Sequence, residues 1–96
     1  MKVTKRDGRK VEFELSKIQS AIRKAFESSK TDYTDEMIEF ISLHVTSDLQ
    51  YRKNKSKLTV EDIQDSVERV LIRAGYDKVA KEYILYRKQR ENVRNV

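Results

Sequence analysis

The sequence predicts a small, mostly helical α+β fold in which a β-hairpin or three-stranded sheet caps a bundle of four helices. A turn signal at Asp7-Gly8 lies between two segments of alternating polarity, and four later stretches repeat apolar residues at spacings of three and four. A chain of 96 residues suits a single domain over residues 1–96. We expect its core over about 3–90 and a polar helical tail over 91–96.

The hairpin follows from the residues on either side of Asp7-Gly8, which tolerate the positive φ of a tight turn. After the turn, Val11 and Phe13 alternate with charged residues, so the two apolar side chains share one face. Before the turn, Lys5 falls on the buried-side row. A lysine at that position needs an anion or a route to water. The hairpin cannot be stable alone and must pack on the helices.

The first two helices are predicted over about 16–28 and 34–50, with Ser16 as a candidate cap of the first. A basic stretch, "YRKNKSK", follows the second helix and reads as a loop. Leu58, directly after that loop, is a candidate for a short extra strand beside the hairpin.

The last two helices are predicted from the sequence signals at their ends. Thr59 followed by Asp62 gives the capping-box pattern of a helix start. Gly75 fits the left-handed position after the end of this third helix, and Asp77 can begin the fourth. His44, at the edge of the second helix's apolar stripe, is typical of a structural rather than a catalytic histidine.

Composition excludes several function classes. The chain has no Cys, one His and two Gly, so it lacks thiolate sites, the usual nucleophile–base pairs and glycine-rich phosphate loops. No stretch is apolar enough to span a bilayer, and we expect a cytoplasmic protein. The formal net charge of +5 (21 Lys and Arg against 16 Asp and Glu) favours an anionic partner without choosing which.

The cations are the positive signal in the sequence. Lys5 and Arg6 end the first strand, and Lys17 lies in the first turn of the first helix, where free N–H groups favour an anion. Arg87 and Arg90 lie three apart on the last helix. If the hairpin folds over the ends of the first and last helices, these side chains converge on a phosphate-binding site. The alternative that pattern alone leaves open is an ordinary solvated basic face.

Two long stretches of the sequence resemble a known family. "VTKRDGRKVEFELSKIQSAIRKAF" resembles the start of the ATP-cone, the regulatory nucleotide-binding domain of ribonucleotide reductases. "LTVEDIQDSVERVLIRAGYDKVAKEYILYRKQR" resembles its second half. The resemblance is closest to the amino-terminal cone of the anaerobic, glycyl-radical class, in which "YILYRKQR" is a typical ending.

The resemblance implies a non-catalytic allosteric domain that binds ATP or dATP and sets the overall activity of a reductase. ATP permits activity and dATP inhibits it. The implied parent is an anaerobic ribonucleoside-triphosphate reductase, whose catalytic domain or subunits are the expected partners together with the nucleotide effector. A nucleotide can bring Mg²⁺ with it. Self-association, the number of nucleotides bound and whether the chain is a fragment stay open.

The resemblance also implies roles for residues in the first third of the chain. Lys5 and Arg6 match the hairpin cations near the phosphates. Lys17 matches a cation near phosphate at the start of the first helix. Ile18 and Ala21 match positions against the base or the sugar.

Five further positions complete the implied site. Val11 lies on the returning strand, and Thr59 matches a residue near the nucleotide at the start of the third helix. Gln64 matches a position that can face the phosphates. Tyr86 matches an aromatic position that can stack on a base, and Arg90 matches a basic one.

Two alternative functions belong to other classes of protein. One is a small basic module that binds nucleic acid, or a repressor-type module, although nucleic acid is not the partner we expect. Repressor cones follow a zinc ribbon, and this chain has no Cys. The other is an interaction domain whose cations are only surface charge. Membrane is not expected as a partner.

Overall fold

The structure, a computed structural model, describes residues 2–5, 7–52 and 58–94, without the side chains of residues 52 and 90–94. In this part of the chain a β-hairpin precedes four helices, in agreement with the predicted α+β fold. Strands β1 (Lys2–Thr4) and β2 (Lys10–Glu12) pair antiparallel. The helices are α1 (Leu15–Ser28), α2 (Asp35–Arg52), α3 (Val60–Arg73) and α4 (Asp77–Arg94).

The four helices form a closed bundle in which each packs against the next and α4 returns to α1. The side chains that α1 buries are apolar and recur at the predicted three- and four-residue spacing. The core draws on all four helices and on the hairpin. Its fully buried large side chains are Ile22, Phe26, Ile38, Ile41, Val45, Leu49, Val67, Leu71 and Val79.

The hairpin joins this core through Val3, which is buried and lies directly opposite Val11 in the strand register. Phe13, two residues after Val11, packs against the core as well. Gly8 has a φ of +87°, as the predicted tight turn requires. The hairpin is therefore held on the bundle by one apolar face, while its charged tip stays in solvent.

The predicted third strand is not confirmed in the described residues, where the sheet has two strands. Leu58 instead accepts one backbone hydrogen bond of 2.8 Å from the Thr4 N–H. An isolated parallel bridge joins Thr4 to Thr59. After Thr59 the chain enters α3 at Val60, so among the described residues the pairing on this side is limited to that bridge. The loop predicted over 51–57 lies mostly outside the described residues.

The helix ends test the capping predictions. Thr59 and Asp62 form the predicted capping box: the Thr59 hydroxyl accepts from the Asp62 N–H, and the Asp62 carboxylate accepts from the Thr59 N–H. Gly75 has the predicted left-handed φ, +88°. The prediction of Ser16 as the cap of α1 is wrong, because the helix begins at Leu15 and Glu14 holds the cap position without a side-chain bond.

Candidate functional site

The hairpin tip pairs one of its cations internally. Asp7 accepts hydrogen bonds from the Arg9 backbone N–H at 3.0 Å and from Arg9 Nε at 2.7 Å. The bond from the backbone N–H, followed by the guanidinium, lowers the pKa of the Asp7 carboxyl. Lys5, on the other side of the turn, is half-buried. The Arg9 charge is therefore matched within the turn, whereas Lys5 lies where the hairpin meets the bundle.

The bridge between Thr4 and Thr59 fixes the hairpin beside the start of α3. Thr59 is the residue that caps α3, and Lys5 directly follows Thr4 in the sequence. The bridge therefore places the Lys5 backbone next to the start of α3. Thr59 is half-buried and its hydroxyl serves the capping box. The bridge thus brings together Lys5 and Thr59, two predicted binding residues that are far apart in the sequence.

The amino-terminal half of α1 supplies a cation and part of the core. The Lys17 side chain is 81% exposed, with its Nζ 3.4 Å from a carboxylate oxygen of Glu14. Ile18 is buried among the core residues, and Ala21 is half-buried at the edge. Lys17 and Ala21 lie one turn apart on the same side of the helix. This side is open to a ligand, whereas Ile18 faces mainly inward.

The face of α4 that turns toward α1 carries Tyr86, whose ring is half-buried. The Lys24 ammonium of α1 lies over this ring, 5.8 Å from its centroid. Arg90 follows Tyr86 by one turn within α4, but its side chain lies outside the described residues, as does the whole of Arg6. Because α1 and α4 pack against each other, we call the surface along their contact, which carries Lys24 on α1 and Tyr86 on α4, the α1–α4 groove.

Arg87 points away from this groove. Its Nη1 donates to Glu68 at 2.6 Å and to Asp65 at 3.0 Å, both on α3. Burial alone would lower the pKa of the Arg87 guanidinium, but the hydrogen bonds to Glu68 and Asp65 outweigh it and raise the pKa. The structure therefore places the predicted binding residue Arg87 in an interhelical ion pair. Sequence reasoning missed the two carboxylates, whose spacing of three on α3 was the available signal.

Val11 and Gln64 are the remaining predicted binding residues. Val11 is half-buried on β2, and Gln64 is half-buried on α3, one turn and a half beyond Thr59. Tyr83 is a core residue, 6% exposed, and burial raises the pKa of its hydroxyl to about 12. The binding roles of the eleven predicted residues stay predictions.

A groove of about 810 Å³ lies on a different side of the bundle, between α2 and α3. It is lined by Met37, Phe40, His44, Val70 and Tyr76 among others, and none of the predicted binding residues lines it. His44 is exposed and its ring lies 4.5 Å from that of Phe40. Its volume is within the range of small-molecule sites, but none of the predicted phosphate-binding cations lines it, so its size alone does not make it the nucleotide site.

Among the described residues, no group of three or more His, Asp or Glu side chains is placed to hold a metal ion. None of the helices in the same part of the chain combines the length and apolar character needed to cross a bilayer.

Residues 1–92 match the family model of the ATP cone domain. The alpha subunit of ribonucleoside-diphosphate reductase from Chlamydia pneumoniae is 35% identical over 96% of the chain. The vitamin B12-dependent ribonucleoside-diphosphate reductase of Thermoplasma acidophilum is 43% identical, also over 96%. The anaerobic ribonucleoside-triphosphate reductase of Haemophilus influenzae is 34% identical over 96%. The chain spans only 9%, 12% and 13% of these three relatives.

These matches agree with the resemblance read from the hairpin and the last helix. They include anaerobic ribonucleoside-triphosphate reductases. The ribonucleoside-diphosphate reductase alpha subunit and the vitamin B12-dependent reductase match with similar or higher identity. The anaerobic character of the parent protein therefore stays a prediction.

Proposed function

Because the chain belongs to the ATP-cone family, we propose that it is an allosteric domain that binds ATP or dATP and controls the overall activity of a ribonucleotide reductase. The observation that carries the proposal is the bridge from Thr4 to Thr59, which sets Lys5 beside the start of α3. A polyphosphate needs several cations or N–H donors around it, and the bridge holds one such cation, Lys5, where the hairpin meets the bundle.

In this proposal the phosphates lie under the hairpin. Lys5, Arg6 and Lys17 supply positive charge from the hairpin and α1, and Arg90 supplies a bidentate fork from α4. Thr59 and Gln64 border the phosphates from α3. Mg²⁺ enters as part of the nucleotide complex, since the phosphate oxygens are its preferred ligands.

The base and sugar occupy the α1–α4 groove. Ala21 leaves room beside α1, and Tyr86 offers an aromatic face on which a base stacks. Ile18 and Val11 close the apolar side, where Ile18 is already part of the core. A deoxyribose differs from a ribose by one hydroxyl, so the choice between dATP and ATP depends on few contacts.

Arg87 enters the proposal as a residue that positions α4, and not as a phosphate ligand. Its guanidinium is engaged by two carboxylates, and its side chain is only 19% exposed. A phosphate would have to displace Glu68 and Asp65 to reach it. The Arg87 ion pairs instead fix the register of α4 on α3, and with it the position of Tyr86.

The domain performs no chemistry itself. The parent protein in this proposal is a reductase of the anaerobic, ribonucleoside-triphosphate kind, and the partners of the domain are its catalytic domain or subunits. The nucleotide acts by changing how the domain contacts those partners. Such an effect requires that the partner-bound and free states differ in nucleotide affinity.

The test is a calorimetric titration of the chain with ATP, dATP and a single-stranded oligonucleotide at two salt concentrations. We expect saturable binding of both mononucleotides. Absence of heat and of any thermal shift at millimolar ATP would refute the proposal. Tighter, steeply salt-dependent binding of the oligonucleotide would favour a nucleic-acid module instead.

A further inference from the structure

Lys24 is a cation in the α1–α4 groove that neither the sequence nor the family resemblance assigns to the site. It lies seven residues after Lys17 and three after Ala21, so the three side chains share one side of α1. Its ammonium is 5.8 Å from the centroid of the Tyr86 ring. That separation is at the outer limit of an attractive cation–π contact.

The separation between Lys24 and Tyr86 is close to what a flat base needs. A base stacked on the ring lies at about 3.5 Å from it, and an ammonium on the base's other face needs a similar distance, so the gap must be about 7 Å. The gap in the structure is 5.8 Å. Lys24 is exposed and its four-carbon stem is flexible, so a shift of about 1 Å at the ammonium is easily made.

We propose that Lys24 is a base-binding residue of the nucleotide site: the purine inserts between the Tyr86 ring and the Lys24 ammonium. The inference rests on the proposed function and extends it by naming the residue on the second face of the base. Attraction between the ammonium and the π-system of the base holds the base on Tyr86. Lys24 then acts on the base and not on the phosphates, which lie nearer Lys5 and Lys17.

Adenosine separates these two kinds of contact because it has the base and no phosphate. Binding of adenosine and of ATP is measured for the 96-residue chain and for the Lys24→Gln, Lys24→Arg and Lys78→Gln variants. Lys78 is the matched control, since it is exposed and lies in the first turn of α4, about two turns before Tyr86. Lys24→Gln is expected to weaken adenosine and ATP binding by the same factor, about two- to fivefold. Lys24→Arg and Lys78→Gln are expected to keep the affinity for adenosine.

Each other result overturns the inference. Unchanged adenosine binding in Lys24→Gln means that the lysine does not touch the base. Tighter binding means that Lys24 competes with the base for the ring. Weaker ATP binding with unchanged adenosine binding makes Lys24 a phosphate-side cation. An unmodified chain that binds neither ATP nor adenosine refutes the proposed function together with the inference, whereas ATP binding with any of the first three results refutes the inference alone.

Discussion

The guanidinium of Arg87 on α4 donates a 2.6 Å hydrogen bond to the carboxylate of Glu68 on α3. The two side chains are only 19% and 20% exposed, so this pair is screened by water much less than the other ion pairs of the hairpin and α1. A charge left without its partner at such a position is costly. The pair therefore ties the helix that carries Tyr86 to the helix that begins at Thr59.

Arg87→Met is expected to lower the free energy of unfolding by about 1.5–3 kcal/mol, because Glu68 loses a charge-assisted hydrogen bond and stays partly buried. Urea denaturation measures the change. Lys88→Met, an exposed neighbour on α4, is the control and should alter stability by no more than about 0.5 kcal/mol. If Arg87→Met left stability unchanged but abolished ATP binding, Arg87 would be a ligand contact and not a clamp.

Removal of single cations under the hairpin should weaken nucleotide binding. Lys5→Gln and Lys17→Gln are each expected to cost about 1.5–3 kcal/mol of ATP binding, or roughly 10- to 150-fold, since each removes a charge-assisted contact. The matched control is Arg9→Gln, whose guanidinium is paired with Asp7 at 2.7 Å. Calorimetry on the three variants decides the point. Equal loss in all three would mean that only net charge matters.

The sequence predicted those features that depend on neighbours along the chain. The capping box of Thr59 and Asp62 needs residues three apart, and the positive φ of Gly8 and Gly75 is a property of single residues. The third strand is not confirmed in the described residues, where one isolated bridge between Thr4 and Thr59 joins the hairpin to the start of α3. Pairing of that kind depends on packing between distant parts of the chain and not on local pattern.

The same limit applies to the site. The hairpin and α1 cations could be listed from the sequence, and the structure places Lys5 beside Thr59 through the bridge from Thr4. The direction of the Arg87 side chain could not be predicted, because Arg87 and Arg90 lie on the same side of the predicted helix. Only the packing of α3 on α4 shows that the α3 carboxylates pair with Arg87. Lys24 was missed for the same reason, since only the packing of α1 on α4 brings it over Tyr86.

Stability should fall in alkaline solution through Tyr83. Burial raises the pKa of this hydroxyl from 10.0 to about 12. Its contribution is therefore complete below pH 10, where the hydroxyl is neutral in both the folded and the unfolded state. It is lost as the pH rises toward 12, because the unfolded chain ionises first. The full loss attributable to Tyr83 is roughly 2–3 kcal/mol. Roughly 2 kcal/mol of it falls between about pH 9 and pH 11.5, where urea denaturation measures it.

Tyr83→Phe is the control for this titration, because it keeps the ring in the core and removes the ionisable group. The variant should lose less stability than the unmodified chain between the two pH values, although other tyrosines and lysines still titrate. An identical loss in both proteins would show that Tyr83 is not the group responsible.

The two glycines offer a paired test of whether the hairpin turn serves binding. Both have φ near +88°, and a methyl group at either position would meet no atom within 4 Å. An alanine therefore costs backbone strain alone, about 1–2 kcal/mol. Gly8→Ala strains the hairpin turn, so it should weaken ATP binding by up to roughly tenfold. Gly75→Ala strains the α3–α4 connection, so it should lower the free energy of unfolding and leave ATP affinity unchanged. Calorimetry and urea denaturation on both variants separate the two effects, and equal ATP affinities in the two variants would mean that the hairpin does not close over the nucleotide.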